Sequence, residues 1–167
     1  MGSAAGRWRT ITFGSSPRRA LLRATLLAAG LLVASRFLLM PLRAWGPSML
    51  PTYHEGQWLL VNRLAYRLRD PERGEVVAIR LAGGRAALVK RVIGLPGERV
   101  RIVAGTVEVD GAPLAEPYVR HRRPWHVVEA QLADDEYYVI GDNRGMPADA
   151  HDFGRTSRAR LLGRVIN

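Results

Sequence analysis

Lys90 is the residue of this sequence that most directly suggests chemistry. It is the only lysine among 25 lysine and arginine residues, and it lies in the apolar run "ALVKRVIG" (87–94). Burial of a lysine disfavours its charged form and lowers its pKa, and a neutral amine can accept a proton from a hydroxyl group. Arginine cannot do this, because its pKa stays above about 12. The position therefore favours a general base that arginine cannot replace.

A nucleophile for such a base is available at Ser48. After Trp45 the chain contains only two serines, Ser48 and Ser157. Ser48 lies in "WGPSMLPT" (45–52), whose glycine and two prolines predict turns and not a regular element. Such a segment can present a hydroxyl and leave backbone N–H groups free to stabilise an oxyanion. A Ser48–Lys90 dyad is one interpretation, and an ordinary serine in a proline-rich turn is the other.

Histidine-based sites are the competing possibility. A Ser-His-Asp triad has four histidines to draw on, and His151 is flanked by acidic residues in "ADAHDFG" (148–154). No segment, however, has the G-x-S-x-G turn that presents the serine of many hydrolases. The histidines also lack the i, i+4 spacing of a helical metal site, and cysteine is absent. The sequence therefore predicts no metal and no cofactor.

Short β-rich segments separated by turns must hold these residues in place. Apolar runs predict strands at 57–62, 75–80, 86–93, 99–103, 106–109 and 136–141, and a short helix at 62–68. The Asp110–Gly111 pair predicts a tight turn between two strands. The expected fold class is mainly β, built from twisted antiparallel sheets.

The first 43 residues differ in character from the rest of the chain. They contain seven arginines and no acidic residue, so they carry +7 of the net charge of +10. From residue 20 they are mostly apolar, and about 20 such residues cross a bilayer core. We therefore expect a basic cytoplasmic tail at 1–19, a transmembrane helix at 20–43 and an extracytoplasmic β domain at 44–167.

The arginines also predict how this helix is oriented. Five of them precede Ala24 and two lie between Ala24 and Trp45, so the positive-inside rule places the N-terminus in the cytoplasm. A cleaved signal peptide and a buried core helix are the alternatives. The segment is long, is followed by no small-x-small cleavage site and has no polar face, which disfavours both. Residues 44–167 hold 18 basic and 15 acidic residues, and this near balance argues against nucleic acid as a partner.

Five motifs, in their order and spacing, resemble those of the type I signal peptidases, which are membrane-anchored proteases with a Ser/Lys dyad. The motifs are "GPSMLPT" (46–52), "GQWLLVNR" (56–63), "RGEVVAIR" (73–80), "KRVIGLPGERV" (90–100) and "GDNRGMPADAHDFG" (141–154). With the apolar segment before them, the resemblance covers about residues 20–165. It implies the twisted antiparallel β-sheet fold of that family behind one N-terminal transmembrane helix.

The resemblance implies a role for each matched residue. Ser48 would attack the scissile carbonyl, and Lys90 would accept its proton and pass it to the leaving amine. Backbone groups at Ser48 and Gly46 would bind the oxyanion. The residues expected to shape the site without reacting are Met49, Arg91, Asp142, Asn143, Arg144 and Asp149. Arg91 and Asp142 are expected to form an ion pair that joins two motifs.

The last motif departs from the family pattern at the position that orients the lysine. Relatives commonly have a serine where this chain has Pro147, and proline cannot hydrogen-bond the amine. Three alternatives follow: another hydroxyl holds Lys90, water holds it, or it is poorly held. The candidate hydroxyls are those of Thr52, Thr156 and Ser157.

The same motif departs from the pattern at two further positions. Ala150 replaces a second serine, and His151 replaces an arginine that pairs with the acidic residue of the motif. Asp149 therefore needs a new partner, either Arg144 or His151. Earlier in the chain, Gln57 stands where the family usually has aspartate.

The function that the resemblance implies is removal of N-terminal signal peptides from exported pre-proteins, by cleavage after small residues at the cytoplasmic membrane. The implied partners are these pre-proteins and the lipid bilayer. The alternative is a specialised or degenerate paralogue with few substrates or with peptide binding alone, which Gln57, Pro147 and Ala150 motivate. A basic protein that binds anionic lipid or nucleic acid is a third possibility.

Overall fold

The computed structural model describes residues 16–81 and 87–166. They divide into an N-terminal unit that ends at Phe37 and a second unit that begins at Leu38. Residues 1–15 of the expected basic tail, and Ala86 of an expected strand, lie outside the described residues.

Helix α1 (Pro17–Leu38) contains nearly all the described residues of the N-terminal unit and ends at the first residue of the second. Its most apolar 18-residue window has a mean hydropathy of 1.7, so the helix is long and apolar enough to cross a membrane by length and composition. At 1.5 Å per residue it extends about 33 Å, close to the thickness of a bilayer core. The prediction of one N-terminal apolar helix is confirmed.

The predicted end of that helix at residue 43 is wrong. Leu39–Arg43 forms strand β1, which pairs antiparallel with strand β2 (Trp58–Asn62). Pro41 gives the physical reason, because it has no backbone N–H for a helix and biases the preceding residue toward extended geometry. Strand β1 lies at the edge of its sheet, where a proline is tolerated.

The described part of the second unit contains two antiparallel sheets. Besides β1 and β2, its strands are β3 (Val76–Arg80), β4 (Ala87–Gly94), β5 (Arg99–Val103), β6 (Thr106–Val109), β7 (Ala112–Pro113), β8 (Val127–Gln131), β9 (Glu136–Ile140), β10 (Gly154–Ser157) and β11 (Leu161–Val165). Seven strands form the large sheet in the order β1-β2-β11-β3-β4-β9-β10, and four form the small sheet in the order β7-β6-β5-β8. Helix α2 (Ala65–Leu68) and two 3-10 turns (Ala148–Ala150 and Arg158–Arg160) complete the described part of this unit. The mainly β prediction is confirmed.

All six predicted strands are present in the described residues, with ends that differ by at most one position. The predicted helix at 62–68 forms only over its last turn, α2, and the Asp110–Gly111 turn joins β6 to β7. Strands β1, β7, β8, β10 and β11 were not predicted. The first of these contains proline, and the last two contain glycine, so their sequences lack the pattern of a regular strand.

Strand β4 carries Lys90 through the middle of the large sheet, between β3 and β9. Side chains alternate between the faces of a strand. One face of β4 therefore presents Leu88, Lys90 and Val92, and Val92 packs with a core cluster from β3 and β9. The other face presents Val89, which packs with Met49 in a second cluster. Because both faces are covered, β4 has a nearly continuous apolar sequence.

Candidate active site

The Ser48 loop, residues 44–53, is held by a buried side chain and by backbone hydrogen bonds within it. Met49 is only 4% exposed and anchors the loop in the core cluster of Val89. Tight backbone turns follow, with Leu50 N donating to Pro47 O at 3.1 Å and Tyr53 N donating to Met49 O at 3.0 Å. Ser48 itself stays half-buried. The loop therefore has a fixed shape although it contains no helix or strand.

Gln57 closes the turn that follows this loop. Its Oε1 accepts a hydrogen bond from the backbone N–H of His54 at 3.0 Å, and its backbone carbonyl accepts one from Ala44 N at 2.8 Å. An amide side chain thus performs a turn-closing role that needs only an acceptor. The departure at Gln57 is compatible with an ordered loop.

The loop is also attached to the segment that follows β9. Asn143 donates its backbone N–H to Ser48 O at 3.0 Å and its Nδ2 to Pro47 O at 3.1 Å. Gly141 permits this close approach, because a Cβ there would lie 2.2 Å from Ser48 O and 2.4 Å from His151 Nε2. There is therefore no room for a side chain at residue 141, and nothing in the local sequence indicates this role of Gly141.

A cavity of about 170 Å³ opens beside Ser48. Its walls include Gly46, Ser48, Met49, Leu88 and Val89, so the Ser48 loop and strand β4 both contribute. Most of these groups are apolar. The cavity can take a small apolar side chain next to the Ser48 hydroxyl.

Lys90 is 2% exposed, so the predicted burial is confirmed. Burial lowers its pKa to about 8 from the usual 10.5, and the carboxylates of Asp152 and Asp142 act in the opposite direction. Among the described residues, no side chain forms a hydrogen bond or an ion pair with its amine, Ser48 included. The dyad therefore stays a prediction, and a structural ion pair at Lys90 is not observed either.

The predicted ion pair between Arg91 and Asp142 is confirmed. Arg91 donates Nε to Asp142 Oδ1 at 2.9 Å and Nη2 to Oδ2 at 2.6 Å, which is bidentate geometry. The ring of Tyr118 stacks on the guanidinium with 4.0 Å from Cζ to the ring centroid. Thr52 Oγ1 also donates to Asp142, so this hydroxyl is already engaged and is a poor candidate for holding Lys90.

The expected pairing of Asp149 is wrong. Asp149 is exposed, whereas Arg144 is 1% exposed and forms its ion pair with Glu116, which is buried as well. Arg144 Nε also donates to Gly141 O at 3.0 Å. The buried pair is the stronger partner for Arg144, because an uncompensated buried guanidinium is costly. Glu116 was not predicted, since nothing in its local sequence distinguishes it.

His151 is buried behind Gly141. Its Nε2 accepts a hydrogen bond from Gly141 N at 3.1 Å, so the proton of the neutral ring resides on Nδ1. The ring packs edge-on against Trp125 with 5.3 Å between centroids. Burial first, and then the positive charges of Lys90 and Arg144, lower the pKa of His151 to about 4, while the carboxylate of Asp152 acts in the opposite direction. His151 is thus a neutral support of the loop and not a partner of Asp149.

The lowered pKa of His151 predicts that the folded protein loses stability in acid. The folded-state pKa of His151 is about 4 and its ordinary value is 6.5, so the unfolded chain binds the proton first. The stabilisation is complete above pH 6.5 and is lost as the pH falls toward 4, by an amount of order 2 kcal/mol. In His151→Gln, whose Oε1 can still accept from Gly141 N–H, we expect the melting temperature to fall less over this range. The control is His121→Gln, at an exposed histidine, and equal slopes for all three proteins would contradict the prediction.

Within residues 16–81 and 87–166, no group of three His, Asp or Glu side chains is placed to hold a metal ion. The two side chains predicted to react, Ser48 and Lys90, lie on a fixed loop and on a buried strand. Both elements also line an apolar cavity.

A family model described as signal peptidase, peptidase S26, matches residues 18–167. The chain is 40% identical over 125 residues to a probable signal peptidase I-2 of Synechocystis sp., covering 71% of this chain and 57% of that protein. It is 32% identical over 156 residues to signal peptidase I T of Bacillus subtilis, covering 87% and 79%. The chain therefore belongs to the signal peptidase family, peptidase S26.

Two further proteins match part of the chain. Signal peptidase I of Leptolyngbya laminosa is 32% identical over 127 residues, which cover 71% of this chain and 63% of that protein. A crystal structure of a signal peptidase I from Enterococcus faecalis matches 59% of this chain and 98% of that one, with a TM-score of 0.47 and 26% identity. The chain spans 57% and 63% of the length of the Synechocystis and Leptolyngbya relatives.

Proposed function

We propose that the protein is a membrane-anchored serine endopeptidase that removes N-terminal signal peptides from exported pre-proteins. The observation that carries the proposal is the buried Lys90, whose pKa of about 8 makes a neutral amine available near physiological pH. Its neighbours on β4, Leu88 and Val89, line the same cavity as Ser48. Family membership supports the same activity.

The proposed reaction has two halves. The Ser48 hydroxyl attacks the scissile carbonyl while the neutral Lys90 amine takes its proton. The backbone N–H of Ser48, with the turn at Gly46, stabilises the oxyanion. The Lys90 ammonium then protonates the leaving amine, and water hydrolyses the acyl-enzyme with Lys90 again as base. Arg91 cannot replace it, because its guanidinium is held charged by Asp142.

The cavity beside Ser48 supports an apolar side chain of the substrate next to the nucleophile. An extended substrate segment would lie along the cavity formed by the Ser48 loop and β4, with an apolar side chain in the space of about 170 Å³. The described residues that line the cavity carry no charge, so a charged residue before the scissile bond would lose its hydration without gaining a partner. Alanine before the scissile bond, which the family resemblance implies, fits this space.

Helix α1 supports the proposed location. We assign it as a single membrane anchor with the N-terminus in the cytoplasm and the β domain, from Leu39 onward, on the other side of the cytoplasmic membrane. The excess of arginine before Ala24 supports this orientation by the positive-inside rule. The signal helix of a pre-protein lies in the same bilayer, so anchoring raises the local concentration of substrate.

Direct cleavage tests this function and separates it from a peptide-binding paralogue. The full chain, purified in detergent micelles, is expected to cut a pre-protein after the second alanine of an Ala-x-Ala site, as mapped by mass spectrometry. Aspartate in place of that alanine should lower kcat/KM at least about a hundredfold, because the apolar lining of the cavity leaves its carboxylate without a partner. Ser48→Ala is the control for a contaminating protease. Absence of cleavage by folded protein, or equal cleavage by Ser48→Ala, would refute the proposal.

A further inference from the structure

The amine of Lys90 has no protein partner in the described residues, although the side chain is almost completely buried. Buried polar groups are nearly always hydrogen-bonded, to protein or to water. A base must also be held at a fixed angle to the group that it deprotonates. The question is therefore which neighbouring group orients this amine.

A second cavity, of about 130 Å³, lies beside Lys90. Lys90, Val139 and Thr156 are among its walls. A water molecule takes up about 30 Å³ in the liquid, so the cavity has room for water that bridges two polar groups. The charged and titratable groups around Lys90 and this cavity are Asp152, Asp142, His151, Arg155 and Arg160.

Thr156 faces this cavity from strand β10. It pairs in register with Tyr137 of β9, and Tyr137 belongs to the core cluster of Val92 and Val139. By strand alternation, Lys90 and Val92 share a face of β4, so Thr156 and Lys90 lie on the same side of the sheet. Ser157, the next residue, points to the opposite side.

The hydroxyl of Thr156 is buried and unsatisfied. The residue is 5% exposed, and its Oγ1 has no hydrogen-bond partner. In the described part of the β domain, the other buried side-chain atoms without a hydrogen-bond partner are Arg144 Nη1 and His151 Nδ1. Both are donors, because His151 Nε2 is the acceptor of that ring. A hydroxyl, in contrast, can accept from an ammonium and donate to a neutral amine.

We propose that Thr156 is a positioning residue for Lys90, whose amine it holds by hydrogen bonds through water in the shared cavity. This inference rests on the proposed role of Lys90 as the base. Thr156 acts on the side of the amine away from the substrate and touches no reacting atom. Because the hydroxyl bonds both protonation states of the amine, the contact persists while the proton arrives and leaves.

The single lysine allows this contact to be measured without any substrate. Lysine labelled with ¹³C at Cε gives one side-chain NMR signal in the full chain in micelles, and its titration reports the pKa of Lys90 directly. We expect about 8 in the wild type. Thr156→Val removes the hydroxyl at nearly constant volume, leaves the ammonium less solvated and should lower this pKa. Thr156→Ser keeps the hydroxyl and should restore it.

Kinetics supply the second readout. In Thr156→Val, kcat is expected to fall about tenfold with KM nearly unchanged, since orientation and not binding is lost. The acidic limb of kcat/KM should move to lower pH together with the NMR pKa. Thr156→Ser should recover both quantities. The matched control is Thr106→Val, the same substitution in strand β6 of the small sheet, which should leave both unchanged.

The outcomes separate this inference from the proposed function. If folded Thr156→Val keeps the wild-type pKa and kcat, the inference is refuted. If Thr156→Ser loses as much as Thr156→Val, Thr156 has only a packing role and the inference fails as well. If the wild type cleaves no pre-protein, the proposed function fails, whereas the NMR titration still decides whether Thr156 contacts Lys90.

Discussion

Lys90→Arg is expected to abolish pre-protein cleavage, with kcat/KM lowered roughly a thousandfold. The substitution keeps a positive charge and a similar length. A guanidinium, however, cannot release its proton at working pH, so Ser48 loses its base. The wild-type activity should rise with pH and level off above about 8, because Lys90 is protonated below its pKa. The measurement is kcat/KM on an Ala-x-Ala pre-protein from pH 6 to 9.5, a range chosen to bracket that pKa.

Lys90→Met is the matched control for folding. It removes the amine but fills a similar volume, so it should be equally inactive. Because the wild type buries an amine without a protein partner, Lys90→Met should be at least as stable at pH 7. Full activity of Lys90→Arg would show that the proton is taken by another group. A stable Lys90→Met with wild-type activity would show the same.

Gly141→Ala is the second substitution for which we expect a large effect, on both stability and cleavage. The new Cβ would lie 2.2 Å from the carbonyl oxygen of Ser48 and 2.4 Å from His151 Nε2. Neither group can move freely, because Ser48 O accepts from Asn143 N and His151 is packed against Trp125. We expect a loss of about 3 kcal/mol in the free energy of unfolding. The displaced Ser48 loop should lower kcat at least about a hundredfold.

Gly145→Ala is the control within the same segment. A Cβ at that position would meet Asn143 Oδ1 at 3.4 Å and His121 Cβ at 3.6 Å, which is close to ordinary contact. Its effect on stability should stay within about 0.5 kcal/mol. Thermal unfolding and cleavage rates of the two variants show whether only Gly141→Ala loses stability and activity. If Gly141→Ala behaves like Gly145→Ala, the Ser48 loop is not supported from behind in the way described.

The local sequence predicts those features that local chemistry determines. The apolar run around Lys90 identified a buried strand, and the glycine and prolines around Ser48 identified a turn. The Arg91–Asp142 ion pair was predicted from motif resemblance and is confirmed. These features need only the residues of one segment, or of two segments whose pairing the family pattern supplies.

The features that were missed depend on contacts between distant segments. Glu116 pairs with Arg144, 28 positions later, and competes for it more strongly than the nearby Asp149 because both partners are buried. His151 appears in the sequence as a polar loop residue, yet Trp125 and Gly141 enclose it. Strand β1 was assigned to the helix because its apolar residues continue the composition of α1. Only its pairing with β2 distinguishes the two.

Lys90 is the only lysine in the sequence, and this has a consequence for covalent inhibition. Every other basic residue from Pro17 onward is arginine or histidine, and guanidinium groups are poor nucleophiles at neutral pH because they stay protonated. An amine-directed electrophile on a small scaffold that fits the cavity beside Lys90 would find one reactive side-chain amine in the protein. Selectivity within this molecule would then come from the composition of the chain as much as from the shape of the cavity.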